Sequence, residues 1–275
     1  MSNQKIQVLG IMNGAPFDQK TWSGSSYYFF SALKKNGSLC NAISAEPTGA
    51  VKSLYKLLSF HPQIDKWRFK YNINTGYFKS LTSAALKRIN SIPDDKYNVI
   101  LQVGAWYDFA GRNDKCTVSY HDGNFQCLLN SPFGYPQINH SWIRRALEYE
   151  KALYGKLDRI FTMSRWLGES FVRDFGVDPK KVIPVGAGIN LPYVHDCQQR
   201  SYDENKILFI GAGFERKGGR YLIEAFAAVR REVKNATLTI IGPSLNGLPD
   251  GVECLNFASK NTKEGLDLLL QQRLS

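Results

Sequence analysis

The stretch Lys206-Ile-Leu-Phe-Ile-Gly-Ala-Gly-Phe-Glu-Arg-Lys-Gly-Gly219 decides how the rest of this chain is read. Apolar residues typical of a strand run into a turn carrying Gly211 and Gly213. Two cations follow, Arg216 and Lys217, and Gly218-Gly219 then opens a helix over about residues 220–233. Strand, glycine turn, cations and helix N-terminus together make an anion cradle, because backbone N–H groups and the positive end of the helix dipole face the same space. Arg and Lys add charge-assisted hydrogen bonds, so the expected ligand is a phosphate or diphosphate. The plainer alternative is a simple strand-to-helix turn with two solvated cations.

Outward from this stretch the same alternation fills the chain. A second strand, 238–241, ends in Gly242-Pro243 and completes a β-α-β unit. Further candidate strands are 6–9, 99–103, 117–120, 159–163, 182–185, 207–210 and 252–256. Between them lie amphipathic stretches 25–35, 80–90, 143–153, 167–175, 221–233 and 262–272. Strands that are apolar throughout, alternating with helices, predict an α/β protein with doubly wound parallel sheets. A polar passage without periodicity, His195-Asp-Cys-Gln-Gln-Arg-Ser-Tyr-Asp-Glu-Asn205, separates two such regions. The expectation is therefore two Rossmann-like domains: 1–190, a linker 191–205, and a smaller, incomplete one over 206–275.

Composition narrows the function classes only coarsely. The 275 residues are 43% hydrophobic and 21% charged, as in an ordinary globular protein. A formal net charge of +11 favours anionic partners such as nucleotides, acidic glycans or anionic lipid head groups. No recognised RNA- or DNA-binding motif is present, so nucleic acid is not expected as a partner. The five cysteines, Cys40, Cys116, Cys127, Cys197 and Cys254, are scattered and form no C-x-x-C pair, which argues against a disulfide framework or a zinc site. With no signal peptide and no apolar run long enough to span a bilayer, the expected location is cytoplasmic, with membrane contact only at the inner surface.

Three further segments carry candidate chemistry. The loop from Asn13 to Ser26 holds Gly24, where backbone can approach a ligand, and Ser23 or Ser25, either of which would cap the next helix. It lies where open α/β sheets bind ligands, at the carboxyl end of the first strand, although an ordinary helix start reads the same way. Tyr120-His-Asp-Gly-Asn-Phe125 places His121 and Asp122 at another strand's carboxyl end, as cleft-lining groups or as a turn. The region from Lys52 to Arg88 mixes eight cations, one acid (Asp65) and the aromatics Tyr55, Trp67, Phe69, Tyr71, Tyr77 and Phe78. It reads either as a surface for anionic lipid or a polyanionic acceptor, or as a solvated helical face over an aromatic core.

Taken in order, these segments resemble the retaining glycosyltransferases of family 4, which have the two-domain GT-B fold. The residues that carry the resemblance are Trp22-Ser-Gly24, Tyr120-His-Asp122, Glu150 through Ser164, Phe175 through Asn190, and Phe209 through Gly219 with Glu224-Ala-Phe226 and Leu238 through Gly242. The resemblance implies a hexosyltransferase acting on a UDP- or GDP-sugar and a glycan or lipid-linked acceptor, with no metal and no other cofactor. It implies that Arg216 and Lys217, with Gly211 and Gly218, hold the donor diphosphate. Gly24 would approach it, His121 would contact the donor sugar with Asp122 beside it, and Ser164 and Trp166 would line the cleft. The sequence departs from the family at Ala212, where an arginine is common, and stops at Ser275 before any E-x7-E segment for the sugar and ribose. These departures predict a truncated transferase with little or no sugar transfer. The alternative is a non-catalytic glycan- or nucleotide-binding protein, or a subunit completed by a partner. A dehydrogenase is disfavoured because no Gly-x-Gly-x-x-Gly fingerprint follows the first strand.

Overall fold

A computed structural model describes residues 5–109, 112, 114–191, 204–260 and 262–274. It divides into two compact units, Met1–Asn190 and Leu191–Ser275. Residues 192–203, which include Cys197 and most of the expected linker, lie outside the described residues.

In the first unit the strands are β1 (Val8–Met12), β2 (Leu39–Ser44), β3 (Val99–Val103), β4 (Cys116–His121), β5 (Arg159–Thr162) and β6 (Val182–Pro184). They form one parallel sheet in the order β2-β1-β3-β4-β5-β6. The helices are α1 (Ser25–Lys35), α2 (Gly49–Leu58), α3 (Ile64–Asn72), α4 (Thr75–Ile89), α5 (Phe125–Leu129), α6 (His140–Lys156) and α7 (Arg165–Phe175). Side chains of a strand alternate between faces, and each face here has its own apolar layer. Val8 and Met12 of β1 join Leu101, Val103 and Val118 against Phe30 of α1. Leu9 and Ile11 join Ile100 against Phe78, Leu81, Ala85 and Ile89 of α4. The sheet is thus buried on both sides, which is why its strands read as unbroken apolar runs rather than as alternating ones.

The strand order reverses between β1 and β3. Such a reversal leaves a crevice at the carboxyl ends of the strands, where the outgoing connections diverge. The residues leaving β1, β3 and β4 are therefore the ones this topology offers to a ligand.

The second unit carries a three-stranded parallel sheet, β7 (Lys206–Ile210), β8 (Thr237–Ile241) and β9 (Val252–Leu255), with α8 (Gly219–Glu232) and α9 (Lys263–Leu274). Its core is Phe226 of α8 on Leu238 and Ile240, with Ile207, Phe209, Val252 and Cys254 around them.

Several boundaries differ from expectation. The first strand is Val8–Met12 rather than 6–9, since Ile6 is 60% exposed and pairing starts where the chain meets β2 and β3. β4 continues through His121 because Ser119 and His121 share its second face and satisfy each other there. β2 was not anticipated: Asn41 and Ser44 interrupt its apolar pattern, which an edge strand tolerates.

Candidate functional site

The crevice at the strand reversal contains a cavity of about 380 Å³, all of whose lining comes from the first unit. Met12 and Asn13 leave β1, Val103 through Trp106 leave β3, and His121 through Phe125 leave β4. Trp22 closes one side, while Phe69 and Asn72 of α3, Phe78 of α4 and Ala146, Glu150 and Tyr154 of α6 also line it. The last three recur every fourth residue, so one stripe of α6 faces the cavity. The walls are aromatic with a few polar groups among them, as in sites for small organic ligands.

His121 lies at the end of β4 on the face covered by α6 and α7. Tyr154 and Phe171 meet its ring edge to face, with centroids at 5.7 and 4.9 Å, and its Nε2 pairs with Ser119 Oγ at 2.8 Å. Burial pushes its pKa down to about 3, against the opposing effect of a hydrogen bond with the Gly123 backbone. The imidazole is neutral at ordinary pH and does not shuttle protons there.

Asp122, one residue on, points the other way. Its Oδ2 accepts a hydrogen bond from Trp22 Nε1 at 2.8 Å. Trp22 and Ser23 have φ of 47° and 54°, and Gly24 follows with φ 82° as the N-cap of α1. Three successive left-handed residues make a tight loop, and only glycine adopts that region without cost. Ser23 and Ser25 do not cap the helix as expected: no side chain caps α1, and the Ser25 amide donates to the Trp22 carbonyl. The Ser25 hydroxyl instead accepts from Asn190 Nδ2 at 2.8 Å, tying the loop to the chain beyond β6.

The cavity thus brings together Trp22, His121 and Asp122, while Gly24 sits behind Trp22 at the helix start. Ser164 is not part of the lining. Its hydroxyl accepts from the Leu167 amide at 3.1 Å and caps α7, and Trp166 stands 60% exposed. Glu150, which the sequence reading named only as the start of a matching segment and gave no role, is the further group of the cavity. Its Oε2 accepts from the Phe125 amide at 3.0 Å, and burial pushes its carboxyl up to about 7, partly opposed by that bond and by the Tyr154 hydroxyl. An acid in the otherwise apolar stripe 146/150/154 was the available signal.

The glycine stretch of the second unit is built differently from the expected cradle. The amides of Lys217, Gly218 and Gly219 donate to the carbonyls of Gly213, Glu215 and Phe214 at 2.9 to 3.0 Å, so they close the turn instead of facing a ligand. By helix geometry the open donors at the start of α8 are the next two amides, those of Arg220 and Tyr221. At Gly211 a Cβ would fall 2.8 Å from Lys217 Cδ, whose flexible chain lies across the turn and would have to shift. Lys217 Nζ reaches the Ile210 carbonyl at 3.4 Å, and Arg220 is paired with Glu215 at 2.9 Å. Arg216 is exposed and makes no hydrogen bond or ion pair to a described residue. Gly211, Arg216, Lys217 and Gly218 are therefore gathered at one turn, with side chains rather than amides supplying the positive charge.

No protein-family model matches this sequence, and no curated protein matches it. Among solved structures, the chain is similar to TarM at 14% identity over 69% of its length, with a TM-score of 0.44; it spans only 37% of that protein. SnogD, a glycosyltransferase from Streptomyces nogalater, matches at 14% identity over 91% of this chain and 71% of its own, with a TM-score of 0.44. Anabaena HepE, solved in complex with UDP, matches at 14% over 95% and 71%, with a TM-score of 0.47.

Proposed function

We propose that this chain acts in glycosyl transfer, moving a hexose from a UDP- or GDP-sugar to a glycan or lipid-linked acceptor with retention of configuration. One observation carries the reading: in both parallel-sheet units the candidate residues gather where chain leaves the carboxyl end of a strand, the position at which such sheets bind ligands. In the second unit Arg216 and Lys217 hold the donor diphosphate and stabilise the charge that develops on it as it leaves. In the first unit His121 and Asp122 border the sugar and the acceptor, His121 as a neutral hydrogen-bonding and packing group. Gly24 permits the Trp22 loop its close approach. The reading extends to peripheral contact with an anionic membrane through the exposed apolar residues of α2 and the turn after it.

Calorimetric titration with UDP and with GDP tests the core of this proposal. Saturable binding of one nucleotide is expected, weakened about tenfold or more in the double variant Arg216→Ala/Lys217→Ala, since each removes a charge-assisted contact worth about 1.5–3 kcal/mol before solvent screening. Absence of binding to either nucleotide, or binding unchanged in the double variant, rejects it. Acceptor binding with no nucleotide binding would favour a glycan-binding protein instead.

A further inference from the structure

Among the described residues that line the cavity at the strand reversal there is no lysine or arginine, although the chain carries a formal net charge of +11. The ionisable side chains there are two acids, Glu150 and Asp122, the His121 imidazole, neutral at ordinary pH, and the buried Tyr154 hydroxyl. Asp122 is exposed and engaged by Trp22 Nε1. Glu150 is placed differently. The groups that reach its carboxyl, the Phe125 amide and the Tyr154 hydroxyl, are neutral dipoles, and no described residue forms an ion pair with it. A carboxylate offers about four acceptor sites, so two donors leave room for another. Part of the Glu150 surface also stays accessible. A carboxylate taken out of water is ordinarily paired with an opposite charge, and one that lacks this partner within the protein calls for it from a ligand.

The rings of Trp22, Phe69, Phe78, Trp106 and Phe125 line the same space. Aromatic rings attract cations, most strongly where water is excluded. We infer that this cavity binds a ligand bearing a protonated amine, whose N–H groups donate to Glu150 while its carbon frame lies among the rings. A phosphate group would meet two acids and no cation there, and a neutral hydroxyl would leave the carboxylate's charge uncompensated. At about 380 Å³ the cavity has room for one small ring or a short chain. Of the elements packed round Glu150, α5 adds the Cys127 thiol, which bears on Tyr154, and β4 adds His121. Neither α3, α4 nor α7 adds a titratable side chain to the lining. The inference concerns which ligand the cavity admits and stands apart from the glycosyl-transfer reading.

The test uses the full chain without nucleotide. Calorimetry would titrate cyclohexylamine, with cyclohexanol as the neutral ring of similar size. An alkyl amine titrates, as lysine does, at about 10.4, so the probe is cationic throughout pH 6–8. Cyclohexylamine is expected to saturate, and cyclohexanol to bind about tenfold more weakly or not at all. Because Glu150 titrates at about 7, affinity for the amine should rise about tenfold from pH 6 to pH 8. By the same linkage, binding at pH 6.5 should drive Glu150 to its charged form and release about half a proton or more per ligand, read as a difference in heat between phosphate and Tris buffers. Glu150→Gln keeps a carbonyl oxygen for the Phe125 amide but carries no charge. It should weaken binding at pH 8 by about tenfold or more and remove both the pH dependence and the proton release. No saturable binding of the amine, equal binding of cyclohexanol, or a pH-independent wild-type affinity overturns the inference. The wild-type profile and the cyclohexanol control decide should the variant fail to fold. None of these outcomes bears on nucleotide binding by Arg216 and Lys217, so the two proposals stand or fall separately.

Discussion

Trp22 and Ser23 occupy a backbone region that costs an L-residue roughly 1–2 kcal/mol each, and they do so side by side. What holds them is distant in sequence: Trp22 Nε1 reaches Asp122 across 100 residues, the Trp22 ring meets Tyr120 edge to face at 6.0 Å, and Asn190 grips Ser25. Because the Trp22–Asp122 bond clamps this loop, Trp22→Phe and Asp122→Ala should be measurably non-additive. A double-mutant cycle on urea unfolding is expected to give a coupling of about 1 kcal/mol, modest because Asp122 is exposed. Additivity within error would mean the loop is held by Asn190 and ring packing alone. This residue-level geometry could not be read from the sequence. Trp22-Ser-Gly24 was visible as a glycine-containing loop, but nothing in Trp or Ser favours positive φ, and only the fold brings Asp122 within reach.

At the scale of elements, α2 shows where pattern reading divides. The region 52–88 offered two readings, a lipid-facing surface or a solvated face over an aromatic core, and the packing of its aromatic residues fits the second. Tyr77 and Phe78 are buried with Tyr55 and Tyr71 packed against them, so much of the aromatic content serves the core. In contrast, α2 has no buried residue, Leu54, Leu57 and Leu58 fall on one helical stripe, and Leu57 is 70% exposed. Phe60 in the following turn and Ile64 at the start of α3 are also exposed, as are Lys56 and Arg68. No helix among the described residues is long and apolar enough to cross a membrane. Co-sedimentation with vesicles of phosphatidylglycerol and phosphatidylcholine should retain the wild type at low salt. Leu57→Ser/Leu58→Ser should reduce retention severalfold, whereas pure phosphatidylcholine should retain little. Equal retention by both vesicle types, or an unaffected double variant, would count against this surface. Periodicity revealed α1 and the approximate spans of α6, α7 and α8. It missed β2, α2, α3 and α5 and reached only the second part of α4; β2 and α5 are short, and such elements take their form from what packs beside them.

For the molecule as a whole, two buried groups of the first unit make opposite demands on pH. His121 takes up a proton near 6.5 when unfolded but only near 3 in the fold. Its contribution to stability is therefore present above 6.5 and is lost as pH falls toward 3, at about 1.4 kcal/mol per unit. Glu150 runs the other way: unfolded it ionises near 4.5, folded only near 7, so its contribution is present below 4.5 and is lost as pH rises through 7. Between 4.5 and 6.5 the two slopes nearly cancel. Glu150→Gln removes one of them, so the stability difference between variant and wild type should shift in the variant's favour by about 1.4 kcal/mol per unit from pH 4.5 to 7. Taking the difference removes every titration the two proteins share. Five tryptophans, Trp22, Trp67, Trp106, Trp142 and Trp166, all fall in the first unit, so their fluorescence in urea follows that unit alone. A difference that stays constant from pH 4.5 to 7 would mean that Glu150 titrates as an ordinary carboxyl.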